Sequence, residues 1–204
     1  MKSSFAAILE GAANENYREV SANRIMVRQG AGVGHSATPA AISRSRAAVD
    51  CLRVRGGADA VKISDSGLAL IKSHEGLRLK AYPDPGTGGD PWTIGYGHTK
   101  GVKPGDEIDD ETATQFLRDD VAWVEDCVNE NVAVTINQNQ FDALCSFVFN
   151  VGCGAFKGST LCRLLNAGNY DGARSQFGRW DKAAGKVLPG LTRRRREEAE
   201  LFSA

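Results

Sequence analysis

Two carboxyl groups set in contrasting surroundings are the most informative chemistry in this chain. The run His74-Glu75-Gly76-Leu77-Arg78-Leu79-Lys80-Ala81-Tyr82-Pro83-Asp84 leads, after a Gly/Pro-rich stretch, into Trp92-Thr93-Ile94-Gly95-Tyr96-Gly97-His98-Thr99. Glu75 stands where an apolar helical stripe hands over to glycine, so its carboxyl can be partly buried against a core, which favours the protonated form. Asp84 falls in a polar turn, where a carboxylate stays ionised. Facing one cleft, such a pair could donate a proton to a leaving oxygen and activate a water or attack directly, as glycoside hydrolysis requires. The chain holds 25 acidic residues. Most Glu/Asp pairs are solvated surface charge, so this pair gains its weight from context.

The elements that must position these groups can be read from periodicity. Ser64 or Asp65 caps a helix carrying Leu68, Leu70 and Ile71 that ends at Glu75-Gly76. From Leu77 to about Gly105 the chain is rich in Gly, Pro, Tyr and Thr, with the alternation that suits a small antiparallel sheet. Asp109 or Asp110 caps one long helix with the stripe Ala113, Phe116, Leu117, Val121, Val124 and Val128. A capping box at Thr135 and Gln138 opens another helix bearing Phe141, Leu144, Cys145 and Val148, with Gly152 near its end. Three shorter helices follow over Leu161–Ala167, Tyr170–Trp180 and Thr192–Phe202. The expected class is α+β: a small antiparallel sheet lobe beside a mainly helical lobe, with a cleft between them wide enough for an extended polymer.

Residues 1–60 read differently. They hold Gly30–Gly34, a Ser/Thr/Ala/Pro stretch from Ser36 to Ser45, and Arg53-Val54-Arg55-Gly56-Gly57, without sustained period. They are expected to be a poorly structured leader or linker with a short helix near Ala6–Val20, leaving 61–204 as the catalytic domain. The run from Phe5 to Leu9 is cut by Glu10 before a signal-peptide core forms, and no stretch approaches the length needed to span a bilayer. Charge is uneven beneath a net of zero. Residues 1–60 carry 8 basic and 5 acidic side chains, residues 61–150 carry 7 and 15, and residues 151–204 carry 10 and 5. That polarity suggests an anionic partner near the basic end. Basic residues interleaved with aromatics, the mark of nucleic-acid binding, do not occur there. The cysteines lack metal-site spacing, so neither metal nor cofactor is expected. Cys127 and Cys153 could meet as one bridge between helices, or stay as buried thiols.

The string from Glu75 through Lys80, with Tyr82 and Asp84 and then Thr93-Ile94-Gly95-Tyr96-Gly97-His98, closely resembles the phage-type lysozymes, or endolysins, of glycoside hydrolase family 24. Further motifs follow in order: Asn139-Gln140-Phe141-Asp142-Ala143-Leu144, Phe147-Val148-Phe149-Asn150-Val151-Gly152 and Gly190-Leu191-Thr192-Arg193-Arg194-Arg195. The resemblance runs from about Ile63 to Phe202. It implies a lysozyme-like fold and an N-acetylmuramidase that cleaves the β-1,4 bond between N-acetylmuramic acid and N-acetylglucosamine in peptidoglycan, with inversion. Glu75 would be the general acid, Asp84 the group assisting the attacking water, and Thr93 the residue holding that water. Thr99, Phe149 and Thr160 match substrate contacts, although Phe149 also suits plain core packing. An insertion of about three residues in the loop before Trp92 costs little and adds Asp90 as a rival second carboxylate, with Asp84 preferred.

The resemblance further implies a monomer acting on glycan strands, held in the host cytoplasm until a holin opens the inner membrane, then reaching the periplasm and wall. Arg193, Arg194, Arg195 and Arg196 read first as a solvated face paired with Glu197, Glu198 and Glu200, and second as a contact for anionic wall or outer-membrane polymers. His98 is expected to brace the Glu75 region rather than transfer protons. His74 should point away from the site, and Trp123 and Trp180 should be core or cleft-wall residues, with core favoured. Two other functions compete: a non-catalytic wall-binding or membrane-disrupting antibacterial protein, and a lytic transglycosylase using Glu75 alone. Retention of Glu75, Asp84 and Thr93 together favours hydrolysis.

Overall fold

A computed structural model describes residues 51–53, 60–83 and 89–204. The expected helix near Ala6–Val20 and the catalytic candidate Asp84 lie outside the described residues.

An extended segment over 60–64 leads into the first helix, and side chains from two later helices hold it. Asn129 accepts from the Val61 amide at 3.1 Å and donates to the Val61 carbonyl at 2.9 Å, pairing with the backbone as a neighbouring strand would. Glu125 accepts from the Ile63 amide at 2.9 Å and from Lys62 Nζ at 2.8 Å. Asp142 accepts from both the amide and the hydroxyl of Ser64. Each buried acceptor thus satisfies a donor that would otherwise be stranded away from water. Helix α1, Asp65–Glu75, then starts at Ser64, whose hydroxyl oxygen accepts from the Ser66 and Gly67 amides. It buries Gly67, Leu68 and Ile71 and stops at Gly76, whose φ of 71° is a conformation glycine adopts without strain.

The sheet lobe follows directly. Strand β2, Arg78–Tyr82, pairs antiparallel with β3, Thr93–Gly95, with Arg78 opposite Gly95 and Tyr82 opposite Thr93. The register shifts between those pairs, and the middle of β2 turns to a third segment. There Ala81 N donates to Asp106 O and Ile108 N to Leu79 O, both at 2.9 Å. A tight turn beyond β3 is closed by mutual Ile94 and His98 backbone bonds of 2.9 Å.

The helical lobe is built around α4, Gln138–Val151, which is buried on nearly every side from Phe141 to Val148. Helix α2, Asp110–Asp120, starts at Asp109, and α3, Ala122–Asn131, continues after a one-residue break at Val121. Strand β4, Thr135–Asn137, precedes α4 and pairs with β1, Cys51–Arg53. After α4 come α5, Cys153–Gly158, α6, Thr160–Asn166, α7, Tyr170–Gln176, and a 3-10 turn over Phe177–Trp180. A hairpin of β5, Lys182–Ala183, and β6, Lys186–Val187, leads to α8, Pro189–Ser203, which lies along α4. Phe147 makes edge contacts with Phe156, Phe177 and Trp180 at the centre of the main core.

Several expectations change in detail. The single long helix is two, because the chain turns at Val121 while the apolar stripe runs on through both. The capping box sits two residues later, with Asn137 and Gln140 exchanging bonds, because Thr135 is spent on strand pairing. Trp123 is exposed at 44% rather than core, since it lies on the outer face of α3. The α5 helix and the β5–β6 hairpin, both short, carried no periodic signal. Cys51–Arg53, which composition assigned to the leader, form a strand against β4. Cys127 and Cys153 are bridged, with Cα atoms 5.9 Å apart, tying α3 to α5, while Cys145 and Cys162 are buried thiols. Closing a loop with a sequence separation of 26 stabilises by about 3 kcal/mol on the chain-entropy account.

Helix α1 approaches α4 closely at Gly67. A Cβ there would lie 2.6 Å from Ile63 Cγ1 and 2.8 Å from Asp142 Cβ, inside contact distance to the clasp that holds 60–64. Gly67→Ala is therefore expected to destabilise by about 1–3 kcal/mol despite alanine's better helix propensity. Urea unfolding measures it; a variant as stable as the parent would show that the clasp yields freely.

Candidate active site

Glu75 is the last residue of α1, three positions before β2 begins. Its Oε1 accepts from Arg194 Nη1 of α8 at 2.6 Å, and the two side chains are only 10% and 4% exposed. The expectation of a partly buried carboxyl holds, but the wall around it includes a guanidinium as well as the apolar core. Arg194 is itself held at two further points: Nη2 donates to the Ser146 carbonyl and Nε to Glu198 Oε1, both at 3.2 Å. Glu198 Oε1 also accepts from Arg195 Nη2 and from Ser146 Oγ, each at 2.8 Å. Arg195 lies over the Phe147 ring at 5.0 Å, and burial pulls its pKa down to about 10 against the opposing pull of Glu198.

This arrangement corrects the reading of Arg193–Arg196 as one face. Arg194 and Arg195 are buried, so neither reaches an anionic polymer. Arg193 and Arg196 remain exposed and pair with Glu197 and Glu200 one turn on, at 3.8 and 3.6 Å. The signal was available. Leu191, Arg194, Arg195, Glu198 and Phe202 recur at helical spacing, and that stripe is the buried face of α8. Four adjacent arginines hid it, because a periodicity count scores arginine as solvated.

The other candidates fall as follows. Thr93 opens β3 opposite Tyr82. It is buried, and its Oγ1 has no hydrogen-bond partner among the described residues. Asp84 lies outside the described residues; Tyr82, two positions before it in sequence, pairs with Thr93. Asp90 is exposed in the loop before β3. Thr99 is half-buried just past the turn, Phe149 is half-buried against the main core near the end of α4, and Thr160 is half-buried as the first residue of α6.

His98 braces a different partner from the one expected. Its Nδ1 lies 2.9 Å from an Asp120 oxygen, its Nε2 2.9 Å from the Lys100 carbonyl, and its ring stacks on Phe116 at 4.3 Å. It fastens the turn after β3 to α2, not to Glu75. Lys72 reaches the same region from α1, donating to Thr114 Oγ1 at 2.7 Å while lying over the Tyr96 ring.

His74, expected to point away from the site, is instead buried beside the Arg194 cluster. Its Nε2 is 2.9 Å from Glu197 Oε2 but off the line for a hydrogen bond. Burial first, then repulsion from Arg194, hold its pKa below the ordinary imidazole value, with Glu197 and Glu198 opposing. A depressed folded-state pKa means that the unfolded chain takes up the proton first as pH falls. The contribution of His74 to stability is therefore full above about pH 6.5 and declines below it. Urea midpoints measured at pH 7 and pH 5.5 are expected to fall in the parent and to fall less in His74→Gln; equal declines would remove His74 as the source.

Comparison with known proteins bears on the family and the fold. Residues 72–198 match the phage lysozyme family model. The chain is 49% identical over 146 residues to a protein named endolysin from Acyrthosiphon pisum secondary endosymbiont phage 1, covering 70% of this chain and 98% of the relative. Among solved structures, a P22 lysozyme mutant is 44% identical with a TM-score of 0.65, covering 71% of this chain and 99% of that one. The muramidase domain of SpmX from Asticaccaulis excentricus is 41% identical, also at 0.65, covering 70% and 98%. With an α+β, lysozyme-like fold and motifs in the family's order, the chain belongs to the phage lysozyme family.

Proposed function

We propose that the chain is an endolysin that hydrolyses the β-1,4 bond between N-acetylmuramic acid and N-acetylglucosamine in peptidoglycan, serving lysis of a phage host. The observation that carries this reading is the buried Thr93 hydroxyl without a partner among the described residues. Such a group is costly unless a water or ligand satisfies it. Thr93 opens β3, the strand antiparallel to the one that follows Glu75, and Glu75 is held by Arg194.

In the reaction, Glu75 gives its proton to the glycosidic oxygen as the bond breaks. Arg194 engages Oε1, which fixes the carboxyl plane and leaves Oε2 to carry that proton. Asp84 draws a proton from the attacking water, and Thr93 Oγ1 holds that water on the other side of the sugar. Thr99, Phe149 and Thr160 contact the glycan. Arg193 and Arg196, exposed on α8, add attraction to anionic wall polymers, an effect that weakens with salt. The protein acts as a monomer. It waits in the host cytoplasm for holin-mediated release and then works at the wall, where an oxidising environment suits the Cys127–Cys153 bridge.

Turbidity loss of purified peptidoglycan tests the assignment. Glu75→Gln is expected to lose at least about 100-fold in kcat, as removal of a general acid does, while keeping the parent's fold by circular dichroism at the assay temperature. Mass spectrometry of the parent's products should find reducing muramic ends. Anhydro-muramic ends would make the enzyme a transglycosylase, and undiminished lysis by Glu75→Gln would remove Glu75 from the chemistry.

A further inference from the structure

Glu198 is a fully buried carboxylate whose bonds fall on one oxygen. Oε1 accepts from Arg194 Nε, Arg195 Nη2 and Ser146 Oγ, while Oε2 has no partner among the described residues. Holding a charge this way, out of water, is expensive, and apolar packing would fill the same space at less cost. The guanidinium that Glu198 grips at Nε is the one that grips Glu75 at Nη1. One cation is thus shared between two carboxylates on two helices, and a second cation, Arg195, shares Glu198 with it. With all four groups ionised the cluster is neutral.

That neutrality bears on the chemistry. A guanidinium at 2.6 Å would, by itself, favour the ionised form of a neighbouring carboxyl, yet a proton donor must arrive protonated. A second carboxylate on the same guanidinium offsets that bias, and with little water between them the charges act on one another strongly.

We propose that Glu198 is a positioning residue for the reaction: acting through Arg194, it fixes the direction of the Glu75 carboxyl and sets how readily Glu75 keeps the proton it donates. The inference rests on the reading of Glu75 as the donor. Among the described residues, the charged or titratable groups around the pair include His74 on α1 and Arg193, Arg194, Arg195 and Glu197 on α8. From α4 come the Ser146 hydroxyl and carbonyl. Asp142 of α4 is occupied by Ser64 and Gln138.

The test uses the full chain and two variants that change the charge balance in opposite senses. Glu198→Gln keeps the shape and an accepting oxygen but leaves two cations against Glu75. The alkaline limb of its kcat–pH profile on purified peptidoglycan is expected to move down by about one pH unit, with KM changed less than about twofold. Arg195→Met removes the competing cation, and its limb is expected to move up. A ¹³C titration of the Glu75 carboxyl, identified by its loss in Glu75→Gln, should move in the same directions. A purely structural Glu198 would lower stability and leave both midpoints in place, and unmoved midpoints in a folded variant overturn the proposal. Should Glu198→Gln fail to fold, Arg195→Met carries the test with its own sign. Wild-type protein that leaves peptidoglycan intact would overturn the reading of Glu75 as donor, whereas the titration would still decide whether Glu198 governs its proton.

Discussion

The ion pair between Glu75 and Arg194 joins the end of the first helix to the middle of the last, and much of the architecture serves to keep it. A buried pair of this kind contributes little net stability, because desolvating two charges offsets most of their attraction, but losing one partner strands the other. The chain accepts that liability and surrounds it. Ser146 and Glu198 take the remaining donors of Arg194, and the Phe147 ring covers Arg195. Helix α4 supplies two of those groups and is itself buried almost all round, so the charged cluster is anchored to the most rigid part of the molecule.

The same logic operates at the opposite end of α1. Its entry is fixed by Asn129, Glu125 and Asp142, side chains that stand in for a neighbouring strand along 60–64. Helix α1 is therefore clamped by polar groups at both ends and by Gly67, Leu68 and Ile71 between them. A carboxyl at the tip of such an element has little freedom to drift, which is the precondition for the proton transfer proposed for Glu75. The sheet lobe is held by lighter means: a few strand bonds, the His98–Asp120 contact and Lys72 against Thr114 and Tyr96.

What sequence alone revealed follows this division. Features written in local chemistry were legible: the Ser64 cap, the glycine stop after Glu75, the alternation through Thr93, the helix carrying Phe141 and Val148, and the α+β class. The motif string around Glu75 pointed to the family by itself. What was not legible depends on pairing across the chain. Arg194 and Arg195 looked solvated because charge is read as surface until a buried partner is known: Glu75, the partner of Arg194, lies 119 residues away, and nothing local marks Glu198, which both share, as buried. The Asn137 box was displaced by two because Thr135 has a strand role that no local rule assigns. His98 could be recognised as structural, but not that its partner would be Asp120.

The long separation between Glu75 and Arg194 also has a temporal side. A ribosome adding about 5–20 residues per second takes on the order of ten seconds to travel from one to the other. Throughout that interval the nascent chain already carries Glu75 but lacks Arg194, so the pair and the packing of α8 along α4 form together, only after the last helix has emerged.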